Sequence, residues 1–152
     1  MATNLSVLKA SDNEAAFKFS GAGTTTIALS GPEILHSNQV TAGATQTVDI
    51  TGFAFTGALD AVITISRNSI VIATCPAASS NFIDLGGQLL IPDSTQHTKD
   101  IVVTITGQGE LWLRVRKMGG YQTKVEEAIY GSYDDITRIG ASTTVTGSPD
   151  KV

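Results

Sequence analysis

The chain has 152 residues, enough for one domain with a real core but cramped for two. Only 16% of its residues are charged, against roughly 25% in ordinary globular proteins, and the net charge is −4. The charge balance therefore speaks against nonspecific nucleic-acid binding, which needs a basic footprint, as the main activity.

A single cysteine, Cys75, rules out an internal disulfide. It follows an apolar run and precedes Pro76, where a small buried thiol is expected. The start, Met1-Ala2-Thr3-Asn4-Leu5-Ser6, lacks the basic and apolar regions of a signal peptide. No apolar run approaches the roughly 18 residues that span a bilayer. The expectation is a soluble protein made in the cytoplasm, with no membrane partner.

Threonine is abundant, glycine occurs 15 times and proline four times. β-Branched threonine suits a half-exposed pleated surface, so the composition favours an all-β fold. Ala15 to Phe19 reads as a strand, linked by Ser20-Gly21-Ala22-Gly23 to a second strand from Thr24 to Leu29. The link from Ser30 to Ala44 contains the one stretch of the body suited to a short helix, Pro32 to Ser37. From Gln46 to Thr56 the apolar parity switches at Gly52, from Val48 and Ile50 to Phe53 and Phe55, which predicts a β-bulge or bend.

Asp60 to Thr74 holds two apolar runs around Arg67-Asn68 and reads as a tight hairpin whose strands are both buried on two faces. Phe82 to Leu85 and Gln88 to Ile91 are shorter candidates around Gly86-Gly87. Asp100 to Thr106 is expected to reverse through Gly107-Gln108-Gly109 into Glu110 to Arg116. Eight or nine such strands, with few gaps that could hold a crossover helix, predict an antiparallel β-sandwich.

Catalytic and metal-binding patterns do not stand out. His36 and His97 read as surface residues, and no Cys/His spacing supplies a zinc ligand set. No nucleophile elbow surrounds either histidine. Ser11-Asp12-Asn13 lacks the companion motifs of a β-lactamase, and Gly21-Ala22-Gly23 lacks the rest of a nucleotide fingerprint. The pairs Glu126-Glu127 and Asp134-Asp135 point to opposite sides of an extended chain, so neither converges on one bond. The expectation is a non-enzymatic protein with no catalytic residue, no metal and no cofactor.

What remains is a stripe and a tail. On the strand from Glu110 to Lys117, Leu111, Leu113 and Val115 share one face, leaving Trp112, Arg114 and Arg116 on the other. Tryptophan beside arginine is a good anchor for a protein partner, and a sugar-stacking platform is the second functional reading. The plain alternative is that the protein's own arm covers Trp112 while the arginines pair acidic residues of the body. After this strand, residues 119–152 show no period, yet they carry all three tyrosines, Tyr121, Tyr130 and Tyr133, among apolar residues. That is too sticky for a solvated tail. The expected organisation is a body over 1–118 and an extended C-terminal arm over 119–152, with Trp112, Arg114, Arg116, Tyr121, Tyr130 and Tyr133 as partner-binding candidates.

The segments Ile63 to Ile72, Val102 to Gly107, Leu113 to Tyr121, Tyr130 to Asp134 and the terminal Gly147 to Val152 resemble small virion structural proteins of marine tailed bacteriophages, cyanophages especially. The resemblance runs from about Gln46 to the end as short matches without a catalytic motif. It implies a β-sandwich, immunoglobulin-like in one version, that sits on the head or at the neck or tail of a virion and is made in a bacterial cytoplasm, the capsid surface being the first expectation. An accessory head protein that decorates or cements the capsid is the first expectation. Its partners would be the major capsid protein or other virion proteins, together with further copies of itself, and no nucleic acid. A neck or tail component is the alternative, and a carbohydrate- or host-receptor-binding module ranks below it.

Overall fold

Alternating apolar residues on either side of glycine-rich junctions build two unusually long strands, and these organise the molecule. The structure is a computed structural model and describes residues 3–43, 45–85 and 96–123. The strands are β1 (Asn4–Ala10), β2 (Glu14–Ile27), β3 (Gln39–Thr41), β4 (Thr47–Gly57), β5 (Val62–Arg67), β6 (Ile70–Pro76), β7 (Asn81–Asp84), β8 (Ile101–Gly119) and β9 (Tyr121–Thr123), with one 3-10 turn at Ala77–Ser79. All their pairings are antiparallel.

The first half of β8 pairs with β5, which pairs with β6, while its second half pairs with β4, which pairs with β7. β2 follows β8 along its other side throughout, and β1 borders the first half of β2. One sheet thus folds over itself into a sandwich. One layer is β6, β5 and the near halves of β8 and β2; the other is β7, β4, the far halves of β8 and β2, and β1. A sheet whose strands pass between layers at bends is one of the two ways sandwiches are built. It differs from the immunoglobulin-like version, in which two separate sheets face each other.

The bend replaces two turns expected from the sequence. Gly107-Gln108-Gly109 does not reverse the chain, and Ser20-Gly21-Ala22-Gly23 does not separate two strands. Gly21 pairs with Gly109 and Gly23 with Ile105, so three residues of β8 bulge against one of β2. Gly21 and Gly107 have φ of +88° and +85°, the left-handed values that also mark hairpins. With glycine on both strands, the pair turns a corner together instead of ending.

Inside the fold, Phe17, Phe19, Ile50, Phe53, Ile63, Ile65, Val103, Leu111 and Leu113 belong to one buried cluster fed by both layers. The parity switch in β4 is a bulge, as expected, with Thr51 as the extra residue between Ile50 and Gly52. At the open end, opposite the glycine corner, Arg67 closes the layers. It is fully buried, and its guanidinium donates to the carbonyls of Val48 (2.6 Å), His97 (3.0 Å) and Lys99 (2.7 Å).

Arg67 is therefore a strand residue and not half of a turn. The β5–β6 turn is Asn68-Ser69, with φ of +53° and +64°. β6 also departs from expectation: as an edge strand it buries Ile72 and Cys75 but exposes Ile70 and Val71. Pro32 to Ser37 forms turns instead of a helix. Six residues leave helix nucleation unrepaid, and the His36 ring and carbonyl take the amides of Asn38 and Gln39.

The body also continues past 118. β9 pairs with β3 from Tyr121 to Thr123 and caps the open end, so the first residues assigned to the arm belong to the sandwich. The candidate strand Gln88 to Ile91 and the chain from 124 onward lie outside the described residues.

Candidate functional site

The outer face of the second layer carries the chemistry that the core does not use. Register places Lys18 (β2), Trp112 (β8), Ala54 (β4) and Phe82 (β7) in one row across four strands. The next row runs Lys9, Ala16, Arg114, Gly52 and Asp84. Small residues at Ala16, Gly52 and Ala54 leave a groove of about 160 Å³ between the larger ones, lined also by Leu8, Phe82 and Trp112. Leu8 is 54% and Phe82 63% exposed, while Trp112 is half-buried. An indole, a phenyl ring and an isobutyl group thus form a contiguous apolar strip on a rigid sheet.

The charges on this face are held in place. The Lys18 ammonium stands 5.4 Å from the Trp112 ring centroid, in cation–π range, and 3.9 Å from the Glu110 carboxylate. Arg114 meets Asp84 at 2.7 Å and also donates to the Thr51 hydroxyl and carbonyl, each at 3.2 Å. A Cβ at Gly52 would lie 3.0 Å from the guanidinium, so the missing side chain lets Arg114 lie flat on the sheet. The expected pairing of an arginine with an acidic residue of the body is thus present for Arg114. Arg116 is exposed on the same side of β8, opposite Glu14 and Asp49 in register. Glu14 is held below the usual carboxylate range by its bond to Lys9, 3.0 Å away.

Of the sequence candidates, Trp112, Arg114 and Arg116 share this face and Tyr121 does not. Tyr121 packs against the core. Its hydroxyl donates to the Leu29 carbonyl at 2.5 Å, and burial pushes its pKa up to about 12. Tyr130 and Tyr133 lie outside the described residues. Leu8, Lys18 and Phe82 were missed. The parity of Phe82-Ile83-Asp84 hinted that Phe82 faces away from Ile83, but which strands become neighbours is not written locally.

A second polar group sits behind Tyr121. The His36 Nδ1 accepts from the Asn38 amide at 3.1 Å, which leaves Nε2 to carry the proton and donate to Asp12. Gln39 donates to the Asp12 carbonyl at 3.0 Å. The buried Lys117 ammonium donates to the Ser11 carbonyl (2.8 Å) and the Gln39 amide oxygen (2.5 Å), 5.4 Å from the Tyr121 ring centroid. Burial lowers the Lys117 pKa. These contacts tie the β1–β2 turn, β3 and β8 together. His36 is therefore a bonded part of the cap and not a free surface residue.

Among the described residues no group of three or more His, Cys, Asp or Glu is placed to hold a metal ion. No helix among them is long and apolar enough to cross a membrane. Comparison with protein-family models, with curated proteins and with solved structures gives no match to this chain.

Proposed function

We propose that the chain is a non-enzymatic structural protein of a tailed-phage virion, an accessory protein that decorates or cements the capsid and docks through the Trp112 face. The observation that carries this reading is the strip in which exposed Leu8 and Phe82 flank the half-buried Trp112 on the outside of a well-packed sandwich. Exposed apolar strips with a polar rim mark interaction sites. Tryptophan and arginine at the centre of such a patch are the residues that dominate binding energies. The resemblance to small virion proteins supplies the partner class, the major capsid protein or its neighbours on the particle. The low charge fraction favours packing against other proteins over solvation.

A sugar-binding platform fits less well. Sugar stacking needs a bare ring face, and Lys18 stands over the Trp112 ring. The test is particle assembly with the variants Trp112→Ala and Phe82→Ala. Both are expected to fold and to be incorporated at least about tenfold less than the wild type, as for loss of an interface anchor. Full incorporation of Trp112→Ala would refute docking through this face, and glycan-array binding that vanishes in the same variant would transfer Trp112 to the adhesin reading.

A further inference from the structure

The two buried cations among the described residues are held differently. The Arg67 guanidinium meets carbonyls of the main chain. The Lys117 ammonium also faces a side-chain carboxamide, that of Gln39, at 2.5 Å, and both residues are only 7% exposed. A C=O bond is about 1.2 Å long, so the Gln39 Cδ lies no more than about 3.7 Å from the lysine nitrogen. Reacting atoms poised to combine stand about 3–3.5 Å apart.

The surroundings fix both groups. Gln39 Nε2 donates to the Asp12 carbonyl at 3.0 Å, which turns the carboxamide oxygen towards the lysine. The Ser11 carbonyl accepts from the same ammonium at 2.8 Å, and the Tyr121 ring covers it at 5.4 Å. Burial lowers the Lys117 pKa, which raises the share of neutral, nucleophilic amine. The Asp12 carboxylate, bonded to His36 Nε2, is the acid whose charge acts on Lys117. A cleft of about 370 Å³, lined by Asn13, Glu14, Arg116 and Met118, opens on Lys117.

We propose that Lys117 and Gln39 join spontaneously into an isopeptide cross-link between β8 and β3. The lone pair of the neutral amine forms the new Nζ–Cδ bond while the carbonyl pair moves to Oε1. One proton passes from Nζ through the Asp12 carboxylate to Nε2. The carbonyl then re-forms, the Cδ–Nε2 bond breaks, and ammonia leaves through the cleft. Amine and carboxamide become a secondary amide and ammonia, so no oxidant, reductant or co-reactant is needed. The event is a single turnover within one chain, so a slow step suffices. The link closes the open end covalently, as a disulfide would, in a chain whose one cysteine allows none. Held in an amide, Lys117 no longer titrates. The inference goes beyond the docking reading and does not rest on it.

Intact-mass spectrometry of the purified, folded full chain is the test. The wild type is expected to be lighter than its sequence mass by one ammonia, allowing for removal of Met1. Tryptic digestion should yield one branched peptide joining the Gln39 and Lys117 fragments. Lys117→Arg and Gln39→Met should keep the full sequence mass. Asp12→Asn, which retains the main-chain carbonyl, should form the link at least about tenfold more slowly. Full sequence mass in the wild type after prolonged incubation overturns the proposal whether or not the variants fold, and so does ammonia lost with the two fragments unlinked. An unchanged rate in Asp12→Asn would overturn the proton path.

Discussion

At the scale of single residues, the fold depends on polar groups placed where the sequence pattern called for apolar ones. Arg67 has the parity of Ile63 and Ile65 on β5 and shares their burial. Its methylenes fill the open end and its guanidinium satisfies three carbonyls from outside β5. Arg67→Met keeps much of the packing but removes the guanidinium; the His97 carbonyl still accepts from the Val48 amide, while losing the donor costs about 1–3 kcal/mol at each of the Val48 and Lys99 carbonyls. The expected loss is at least about 2 kcal/mol in urea unfolding; a loss below about 1 kcal/mol would mean that water replaces the guanidinium.

Two buried acids predict the alkaline limit of stability. Burial pushes the Cys75 thiol from 9.0 up to about 11 and the Tyr121 hydroxyl from 10.0 up to about 12. Both acids hold their protons more tightly when folded. Their contribution is complete below the unfolded values and is lost as pH rises through the folded ones. Lys117 acts in the opposite sense, because burial penalises its charged form and that cost fades as the amine deprotonates. The thermal midpoint is expected to hold to about pH 9 and fall between about 9 and 12, as the two acids outweigh one lysine. At neutral pH a thiol reagent should modify Cys75 at least tenfold faster in denaturant than in buffer.

At the scale of elements, glycine decides where strands end and where they bend. Both kinds of glycine look alike in sequence. Gly107-Gln108-Gly109 has the signature of a hairpin loop, yet β8 continues because β2 carries Gly21-Ala22-Gly23 directly opposite. The local signal fixed the backbone conformation; the partner strand fixed its meaning. The Arg67-Asn68 turn was misplaced by one residue for the same reason, since only the layer contacts reveal that Arg67 points inward. The bulge at Gly52 was legible because apolar parity changes within one strand, and that needs no partner.

The corner gives a graded prediction. A Cβ at Gly57 would lie 2.6 Å from the Ala77 Cβ and 2.7 Å from the Gln108 carbonyl oxygen. At Gly120, between β8 and β9 at the open end and with φ of +84°, it would lie 2.5 Å from the Gln46 Cα. Alanine at either position should cost about 2 kcal/mol or more by overpacking and strain. Gly43→Ala, where nothing lies within 4 Å, should fall within about 0.5 kcal/mol of the wild type. Equal unfolding midpoints for all three would contradict close packing at the corner and at the open end.

At the scale of the whole molecule, the sandwich buries its inner faces and leaves an apolar strip on one outer face, the face proposed for docking. The all-β antiparallel class was legible from composition and alternation. The stripe of Trp112, Arg114 and Arg116 was legible from the parity of one strand. The rest of the face was not, because Leu8, Lys18 and Phe82 are brought to Trp112 by pairings that span most of the chain. Tyr121 was a partner-binding candidate as part of a sticky arm, and β9 pairing with β3 packs it against the core instead.

The central claim, that the Trp112 face docks on a virion partner, is tested most directly by a reconstruction of the phage particle at side-chain resolution. The prediction is density for this chain on the capsid, with Trp112 and Phe82 seated against another virion protein. Density with that row open to solvent, or particles that lack the chain, would contradict it.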